Sequence, residues 1–292
     1  MSRPLVVPVS ATGRLRLAHG DFEAELAPAL GGRLTLLRHA GRDIVVPLPT
    51  DHADPLFWGK GGGYPLLPYH NRIESAQLHF VGAVFDLVPH PDTMPHSLHG
   101  PAQRRPWRLV EQDAASAILA LDYAADADWP WASEARQSFA LGDNGLTIGL
   151  TLRNTDTTSM PAGLGWHPYL PAGRVSHDAA IHWPLRPDYL PTGERLSGPG
   201  PQAEATRYLE AWTRADVATD GLDIILTASP EFRHLVVHSA GQYVCLEPAT
   251  HVANGFNLAA AGHDFTGTHI LAPGAVLAGT VRLSVGEISQ RP

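Results

Sequence analysis

The amino-acid sequence predicts an all-β fold, an antiparallel sandwich built from many short strands. Three observations indicate this. Glycine (28 residues) and proline (26 residues) interrupt the chain at short intervals. No long stretch keeps an apolar stripe at helical spacing, and apolar residues repeatedly alternate with polar ones. Short alternating segments separated by turn residues are typical of antiparallel sandwiches.

The strand candidates follow one another along the chain. Phe22, Ala24 and Leu26 alternate with charged residues, and a turn at 41–43 separates apolar segments at 34–37 and 44–46. Gly82-Ala83 predicts a hairpin between 77–81 and 84–88. The clearest hairpin joins 135–141 to 146–153 through 142–145, with one face formed by Leu146, Ile148, Leu150 and Leu152. Further strands are predicted at 117–123, 222–227, 235–238, 243–247 and 275–285, and a long loop at 185–202.

Composition limits the functional classes. The 292 residues are 44% apolar, and one domain over 1–292 is expected, because all-β domains of about 200 residues or more are common. The formal net charge of −8 argues against nucleic acid or an anionic membrane as partner. The single cysteine excludes an internal disulfide, and neither a membrane span nor a signal peptide is recognisable. A soluble cytoplasmic protein is expected, and nothing in the sequence indicates its oligomeric state.

Two segments place proton-transfer groups at predicted strand ends. Glu247 ends the apolar run at 243–247, and His167 lies in the aromatic, proline-bounded segment 165–169. A carboxylate and an imidazole in such settings form a plausible base and acid. Each residue alone is more often structural, as a histidine locked against the backbone or as a carboxylate that pairs with an arginine.

Two other segments are rich in polar groups. Residues 61–73 combine three glycines with Asn71 and Arg72, and residues 96–100 contain His96 and His99. A surface loop whose side chains satisfy backbone carbonyls is the alternative for the first segment. The two histidines lack a neighbouring Cys, Asp or Glu, so no metal site is expected. A hydrogen bond to a polar ligand and a structural role stay open for them.

In this order the four segments resemble the aldose 1-epimerase family, the galactose mutarotase-like proteins. Each motif is weak singly, but the ordered set is specific for the family. The resemblance covers the chain from about Phe22 to about Leu283. The matching motifs are Pro68-Tyr69-His70-Asn71-Arg72, His99-Gly100 followed by Trp107, His167-Pro168-Tyr169, and Glu247-Pro248 followed by Phe256-Asn257.

The resemblance implies a β-supersandwich with a sugar groove, and cofactor-free interconversion of the α and β anomers of an aldose. Opening the hemiacetal removes the proton of the C1 hydroxyl while the ring oxygen gains one. Glu247 is the expected general base and His167 the general acid, on opposite sides of the anomeric carbon. No metal is required. Substrate binding is implied for Arg72, His99, Asn71 and Tyr169.

The family's hydroxyl-binding aspartate has no clear counterpart in this sequence. Asp223 is the candidate, with Asp220 and the neighbourhood of Glu210 and Trp212 as alternatives. Trp58, Tyr69, Trp166 or Phe256 could stack on the apolar face of a pyranose, although packing is the expected role of each ring taken singly.

Ordinary pKa values of about 4.3 for glutamate and about 6.5 for histidine predict a bell-shaped pH dependence, with Glu247 ionised and His167 protonated between them. Two alternatives to a free-sugar mutarotase remain. A hexose-phosphate 1-epimerase would need converging cations, for which the sequence offers Arg72 and either Lys60 or Arg105. A non-catalytic carbohydrate-binding protein would not need the acid and base pair.

Overall fold

The computed structural model describes residues 13–48 and 60–286. Strands form most of the regular structure, and every strand pair in these ranges is antiparallel. The prediction of an all-β, antiparallel fold is confirmed.

The described strands are numbered in chain order. They are β1 (Leu15–His19), β2 (Phe22–Ala27), β3 (Arg33–His39), β4 (Arg42–Asp43), β5 (Gly63–Leu66), β6 (Arg72–Ile73), β7 (Gln77–Phe80), β8 (Ala83–Asp86), β9 (Ser97–Leu98), β10 (Arg108–Gln112), β11 (Ser116–Tyr123), β12 (Ser133–Gly142), β13 (Gly145–Asn154), β14 (Met160–Ala162), β15 (Gly165–Pro168), β16 (Leu170–Pro171), β17 (Arg174–His177), β18 (Ile181–Trp183), β19 (Leu196–Ser197), β20 (Thr206–Glu210), β21 (Arg214–Thr219), β22 (Leu222–Ala228), β23 (His234–Ser239), β24 (Tyr243–Ala249), β25 (His269–Leu271) and β26 (Val276–Gly286). The helical segments are α1 (Gly255–Ala260) and the 3-10 turns Pro28–Leu30, Glu74–Ala76, Pro91–Thr93 and Pro101–Arg104.

Two large sheets form the sandwich. The larger has twelve strands in the order β1-β2-β3-β5-β15-β24-β23-β20-β18-β19, with β4 beside β3 and β16 beside β24. The smaller has eight strands in the order β10-β11-β12-β13-β26-β22-β21-β17. The main apolar cluster takes residues from both sheets, for example Leu246 of β24 and Leu150 of β13. The core therefore lies between the sheets.

The two predicted hairpins are confirmed. Strands β7 and β8 pair around Val81-Gly82, and β12 and β13 pair along their full length. The predicted apolar face of β13 is buried, because Leu146, Ile148 and Leu150 are 0% exposed and Leu152 is 1% exposed. Burial alternates from Leu146 to Asn154, which leaves little freedom of register, and this is why the prediction is accurate.

One predicted strand is wrong. The segment 44–46 is buried at Ile44 and Val45 but is not a strand. The backbone N–H groups of both residues donate to the same oxygen, that of Leu37, which breaks the ladder after the two-residue β4. The apolar character of this segment therefore reflects burial under β3 and not strand pairing. In the described part of the chain, no helix is long and apolar enough to cross a membrane.

Candidate active site

Glu247 and His167 lie on neighbouring strands of the larger sheet. β15 and β24 pair at Gly165 and Ala249, and continuing this antiparallel register by two residues brings His167 opposite Glu247. The His167 Nε2 atom lies 3.4 Å from Glu247 Oε1. Both side chains are almost completely buried. The fold therefore brings the expected acid and base into contact.

The expected placement of the two groups on opposite sides of a sugar is wrong. At 3.4 Å between Nε2 and Oε1, no pyranose ring fits between them. Ring opening does not require such a gap. The ring oxygen and the C1 hydroxyl oxygen are both bonded to C1, so a donor and an acceptor that lie side by side can serve both oxygens from one direction.

Two tyrosine rings fix the plane of the imidazole. Tyr64 of β5 lies directly opposite His167 in the sheet, and their rings stack at 4.7 Å between centroids. The ring of Tyr169 stacks on His167 at 4.9 Å. Tyr169 was expected at the site, whereas Tyr64 was not singled out. Only the pairing of β5 with β15, which is not visible in the sequence, reveals it.

Burial reverses the expected protonation of the pair. Removal from water raises the pKa of Glu247 to about 8, although the nearby charge of Arg72 acts against this. Burial also lowers the pKa of His167 well below 6.5, and the charge of Arg33 lowers it further. In the free protein at neutral pH the carboxyl keeps its proton and the imidazole is neutral. The expectation of an ionised Glu247 and a protonated His167 is wrong for this state.

Asn71 and His99 hold each other through two hydrogen bonds. The His99 N–H donates to the Asn71 carbonyl oxygen at 2.9 Å, and the Asn71 N–H donates to His99 Nδ1 at 2.9 Å. Since Nδ1 accepts, the neutral ring carries its proton on Nε2, which makes Nε2 a donor. The His99 and His167 rings meet edge to face at 5.4 Å between centroids. The site thus gains a neutral N–H donor beside the acid and base pair.

The backbone around this hydrogen-bonded pair is strained. Asn71 (φ 58°) and His99 (φ 52°) both adopt the left-handed conformation, which is uncommon for residues other than glycine. A Cβ added to Gly100 would lie 1.8 Å from the Leu67 carbonyl oxygen, so a larger residue cannot follow His99 here. The His-Gly motif is explained by this close approach of two backbones.

The side-chain oxygen of Asn71 is already used within the protein. It accepts hydrogen bonds from the Arg72 N–H at 2.9 Å, from Arg72 Nη1 at 3.3 Å, and from the Tyr208 hydroxyl at 2.9 Å. The Arg72 guanidinium lies 5.0 Å above the ring of Tyr189. Asn71 therefore positions Arg72, and Tyr208, which the sequence did not indicate, fixes Asn71 from β20.

Asp223 is not part of this site. It lies on β22 in the smaller sheet, opposite Ala218 and Gly286. Its alternation pattern belongs to the β21–β22 hairpin, and the turn of that hairpin contains Asp220. The prediction of Asp223 as a sugar-binding residue is wrong, because a short polar and apolar pattern does not reveal which sheet a strand joins.

Near Glu210, the alternative location for the family's hydroxyl-binding aspartate, the side chains are already hydrogen-bonded to other groups of the protein. Glu210 is fully buried on β20 and receives two hydrogen bonds from Arg195, at 2.7 and 2.8 Å. The Trp183 indole N–H donates to it at 3.1 Å. Trp212 donates to the His234 carbonyl oxygen. The described residues thus supply no counterpart of the family's aspartate at this position.

Most of the aromatic candidates for sugar stacking belong to the core. Tyr69, Trp166 and Phe256 are members of the main apolar cluster, and Trp58 lies outside the described residues. Arg105, a candidate phosphate ligand, is bound instead by two aspartates, Asp126 at 2.7 Å and Asp128 at 2.6 Å. His96 accepts a hydrogen bond from the Ser75 N–H at 3.0 Å, which is a structural role.

Arg33 is a cation of the site that sequence reasoning missed. It is buried on β3, and its guanidinium lies 4.3 Å from the centroid of the Tyr64 ring. In the described ranges it forms no ion pair with a carboxylate. Lys60 also lies close enough for its charge to lower the pKa of His167. Two cations therefore lie near the imidazole, and neither forms an ion pair with a carboxylate of residues 13–48 or 60–286.

The same corner holds a set of possible metal ligands. One ligand atom each from His167, Cys245 and Glu247 lie within 4.8 Å of one another, and all three residues are buried. In the sequence, the spacing of His96 and His99 was the one pattern that suggested metal ligands. The set at this corner is not visible there, because β15 and β24 are far apart in the chain and meet only in the sheet.

The sequence profile of the aldose 1-epimerases matches residues 13–284. This chain belongs to the aldose 1-epimerase family. It is 25% identical over 214 residues to the uncharacterized protein YphB of Escherichia coli K12, which covers 64% of this chain and 72% of YphB. Family membership supports a sugar epimerase or mutarotase function, and with it an isomerase with a sugar substrate.

Solved structures show the same fold as this aldose 1-epimerase family member. A galactose mutarotase-like protein from Clostridium acetobutylicum superimposes with a TM-score of 0.80 at 19% identity, over 94% of this chain and 95% of that protein. An aldose epimerase homologue from C. elegans superimposes with a TM-score of 0.79 at 18% identity, over 95% and 99%. The prediction of a galactose mutarotase-like β-supersandwich is confirmed.

Proposed function

We propose that this protein is an aldose 1-epimerase that interconverts the anomers of a free aldose, with Glu247 and His167 as the groups that transfer protons. The observation that carries the proposal is the 3.4 Å contact between His167 Nε2 and Glu247 Oε1 inside a buried corner. A buried carboxyl and a buried imidazole in contact can give one proton and take another at a single small centre.

The reaction needs only one transferable proton on the pair formed by Glu247 and His167. In ring opening, the Glu247 carboxylate removes the proton of the C1 hydroxyl while the His167 imidazolium donates its proton to the ring oxygen. The bond between C1 and the ring oxygen breaks as the C1 carbonyl forms. Opening leaves a protonated Glu247 and a neutral His167, and closure on the other carbonyl face reverses both transfers.

The resting protonation state fits this cycle. The free protein at neutral pH holds the single proton on Glu247, which is the state that follows ring opening. Moving that proton across the 3.4 Å contact to Nε2 produces the state that opens the ring. Both states carry the same number of protons, so both are available at the same pH.

Neighbouring donors supply the binding interactions. The Arg72 guanidinium and the Nε2–H group of His99 are suited to sugar hydroxyls and to the oxygen that becomes the carbonyl. The stacked rings of Tyr64 and Tyr169 keep the imidazole in one plane, so the transfer distance stays short. The protein therefore contributes orientation as well as proton transfer.

Polarimetry tests the proposal directly. Freshly dissolved α-D-glucose and α-D-galactose are followed to anomeric equilibrium with the wild type, Glu247→Gln and His167→Asn. Loss of an essential proton-transfer group costs about a hundredfold to ten-thousandfold in rate. We expect losses in this range for both variants, with unchanged circular dichroism spectra.

The matched control is Asp223→Asn, which also converts a carboxylate to an amide but lies on the other sheet. We expect its rate to stay within about twofold of the wild type. Equal rates for the wild type, Glu247→Gln and His167→Asn would refute the proposed mechanism. A wild type that binds these sugars without speeding their equilibration would instead identify a carbohydrate-binding protein.

Arg33 favours a hexose-phosphate 1-epimerase as a second candidate. Buried arginines normally pair with an anion, and Arg33 has none in the described ranges although it contacts Tyr64 at the site. An anionic sugar substituent would provide the missing partner. We expect Arg33→Met to lower kcat/KM for α-D-glucose 6-phosphate about tenfold more than for α-D-glucose if the phosphate is recognised.

A further inference from the structure

Cys245 lies beside the proposed proton-transfer pair but takes no part in it. It precedes Glu247 by two residues on β24, so both side chains project from the same side of the sheet. Its sulfur, a nitrogen of His167 and an oxygen of Glu247 lie within 4.8 Å of one another. Thiolate, imidazole and carboxylate are the three ligand types that zinc takes from proteins.

The spacing of two of these atoms already suits a metal ion. In a tetrahedral zinc site with bonds of about 2.0 to 2.3 Å, neighbouring ligand atoms are about 3.3 to 3.7 Å apart. His167 Nε2 and Glu247 Oε1 are 3.4 Å apart. One edge of the tetrahedron is thus present, and the thiol lies near enough to complete a three-ligand face by small side-chain rotations.

The surrounding charges decide which ion can bind. Arg33, Lys60 and Arg72 lie near this corner, so adding a bare positive charge there is unfavourable. A divalent ion that displaces one proton from the Cys245 thiol and one from the Glu247 carboxyl leaves the net charge of the site unchanged. Strong metal–sulfur bonding favours an ion that prefers thiolate over water.

We propose that His167, Cys245 and Glu247 form a binding site for a thiophilic divalent ion such as Zn²⁺, and that this ion inhibits the enzyme. The ion takes up Nε2 and the carboxylate, releases two protons to solvent, and leaves its fourth position to water. The inhibition rests on the proposed function, because the ion occupies both proton-transfer groups. The binding itself does not depend on that function.

Cobalt(II) provides a readout that is independent of activity. The full-length protein is titrated with Co²⁺, and a thiolate-to-cobalt charge-transfer band in the near ultraviolet is followed. The chain has one cysteine, so any such band reports Cys245. We expect the band to saturate at one equivalent of Co²⁺ and to disappear when Zn²⁺ is added. Neither Cys245→Ala nor Cys245→Ser should show the band. Two variants are used so that the test still holds if one of them fails to fold.

Polarimetry supplies the second arm. We expect stoichiometric Zn²⁺ to stop mutarotation by the wild type and EDTA to restore it. Loss of a group that only orients a metal ligand weakens metal sites about tenfold to a hundredfold, so loss of the ligand itself in Cys245→Ala should require at least tenfold more Zn²⁺ for the same inhibition. Its metal-free rate should match the wild type, because Cys245 transfers no proton in the cycle.

The outcomes separate the two proposals. A wild type without the cobalt band, or with Zn²⁺ inhibition equal to that of Cys245→Ala, overturns the metal site whatever the mutarotase activity. A cobalt band in a protein that never accelerates mutarotation supports the site and refutes the proposed function. A band together with zinc-sensitive activity that depends on Cys245 supports both.

Discussion

Two buried glutamates of the larger sheet differ in their hydrogen-bond partners. Glu210 of β20 is 0% exposed and Glu247 of β24 is 4% exposed. Glu210 accepts two hydrogen bonds from Arg195 and one from the Trp183 indole. Glu247 has no bonded arginine, and its Oε2 atom has no hydrogen-bond partner in the described structure. Within the described residues, its one ion-pair contact is with His167 at 3.4 Å.

The partners of a buried carboxylate decide its role, and burial alone does not. A buried carboxylate that is hydrogen-bonded to an arginine contributes to structure. A carboxylate without one gains a raised pKa, here to about 8, and a proton that it can exchange. Leaving such a group unpaired costs stability, and we attribute that cost to function.

The largest effect is expected from Glu247→Gln on stability. In the unfolded chain the carboxyl loses its proton near its usual pKa of 4.5, but in the folded protein it keeps the proton up to about pH 8. Folding therefore becomes less favourable as pH rises between these values, by about 3 kcal/mol at pH 7. Glutamine does not ionise, so urea unfolding should show the variant about 3 kcal/mol more stable at pH 7 and nearly equal at pH 4.5.

Asp223→Asn on the other sheet is the control for that experiment. A Glu247→Gln stability gain that is the same at pH 4.5 and pH 7 would contradict the idea that a raised pKa is its cause.

Glu210→Gln should change stability in the opposite direction. Removing the carboxylate leaves Arg195 with its charge uncompensated and weakens the bond from Trp183. Arg195 is 29% exposed in its side chain, so water offsets part of the loss, and we expect about 2 kcal/mol of destabilisation at pH 7. Urea unfolding measures it, with mutarotation rate per folded molecule unchanged. A stable but inactive variant would refute the structural role.

The pH dependence of the rate should reflect the pKa values that Glu247 and His167 have in the folded protein. Above about pH 8 the pair loses its only proton, so kcat/KM should fall about tenfold per pH unit. On the acid side activity should persist below pH 6.5, since the lowered pKa of His167 delays a second protonation. Polarimetry corrected for the spontaneous rate provides the profile. A rate that climbs through pH 8 would speak against this protonation scheme.

Tyr208→Phe should have the smallest effect. The variant removes a hydroxyl whose single proton can go to the Asn71 side-chain oxygen or to the Tyr189 carbonyl oxygen, each at 2.9 Å, while the Arg72 N–H still donates to Asn71. A lost neutral hydrogen bond is worth about 1 kcal/mol, so kcat/KM should fall about fivefold. The loss should appear mainly in KM, because Asn71 positions Arg72 and transfers no proton. A fall confined to kcat would place Tyr208 in the chemical step instead.

Much of the fold was predictable where local pattern and burial agree. The alternation of Leu146, Ile148, Leu150 and Leu152 fixes β13 and its buried face. At 44–46 the apolar pattern was misleading, because Ile44 and Val45 are buried but do not pair as part of a strand. Glu247 and His167 are in contact on neighbouring strands of the larger sheet, and the rings of His99 and Tyr169 pack against His167. The roles assigned to these residues stay a prediction.

The errors share one physical cause. Asp223 was placed at the site although its strand belongs to the other sheet, while Arg33, Tyr64, Tyr208 and the ligand set with Cys245 were missed. Each depends on which strands are neighbours, and a periodicity of two along a strand carries no information about its partner.

Residue type and alternation are local properties, so the sequence alone was enough to predict the class of the fold and the family's ordered motifs. The assignment of Glu247 and His167 as the proton-transfer pair is a proposal. Tertiary structure alone decided that Glu247 and His167 touch, that a cysteine stands beside them, and which of them holds the proton. Protonation depends on the surrounding dielectric and on neighbouring charges, and both arise only when distant strands pack and exclude water.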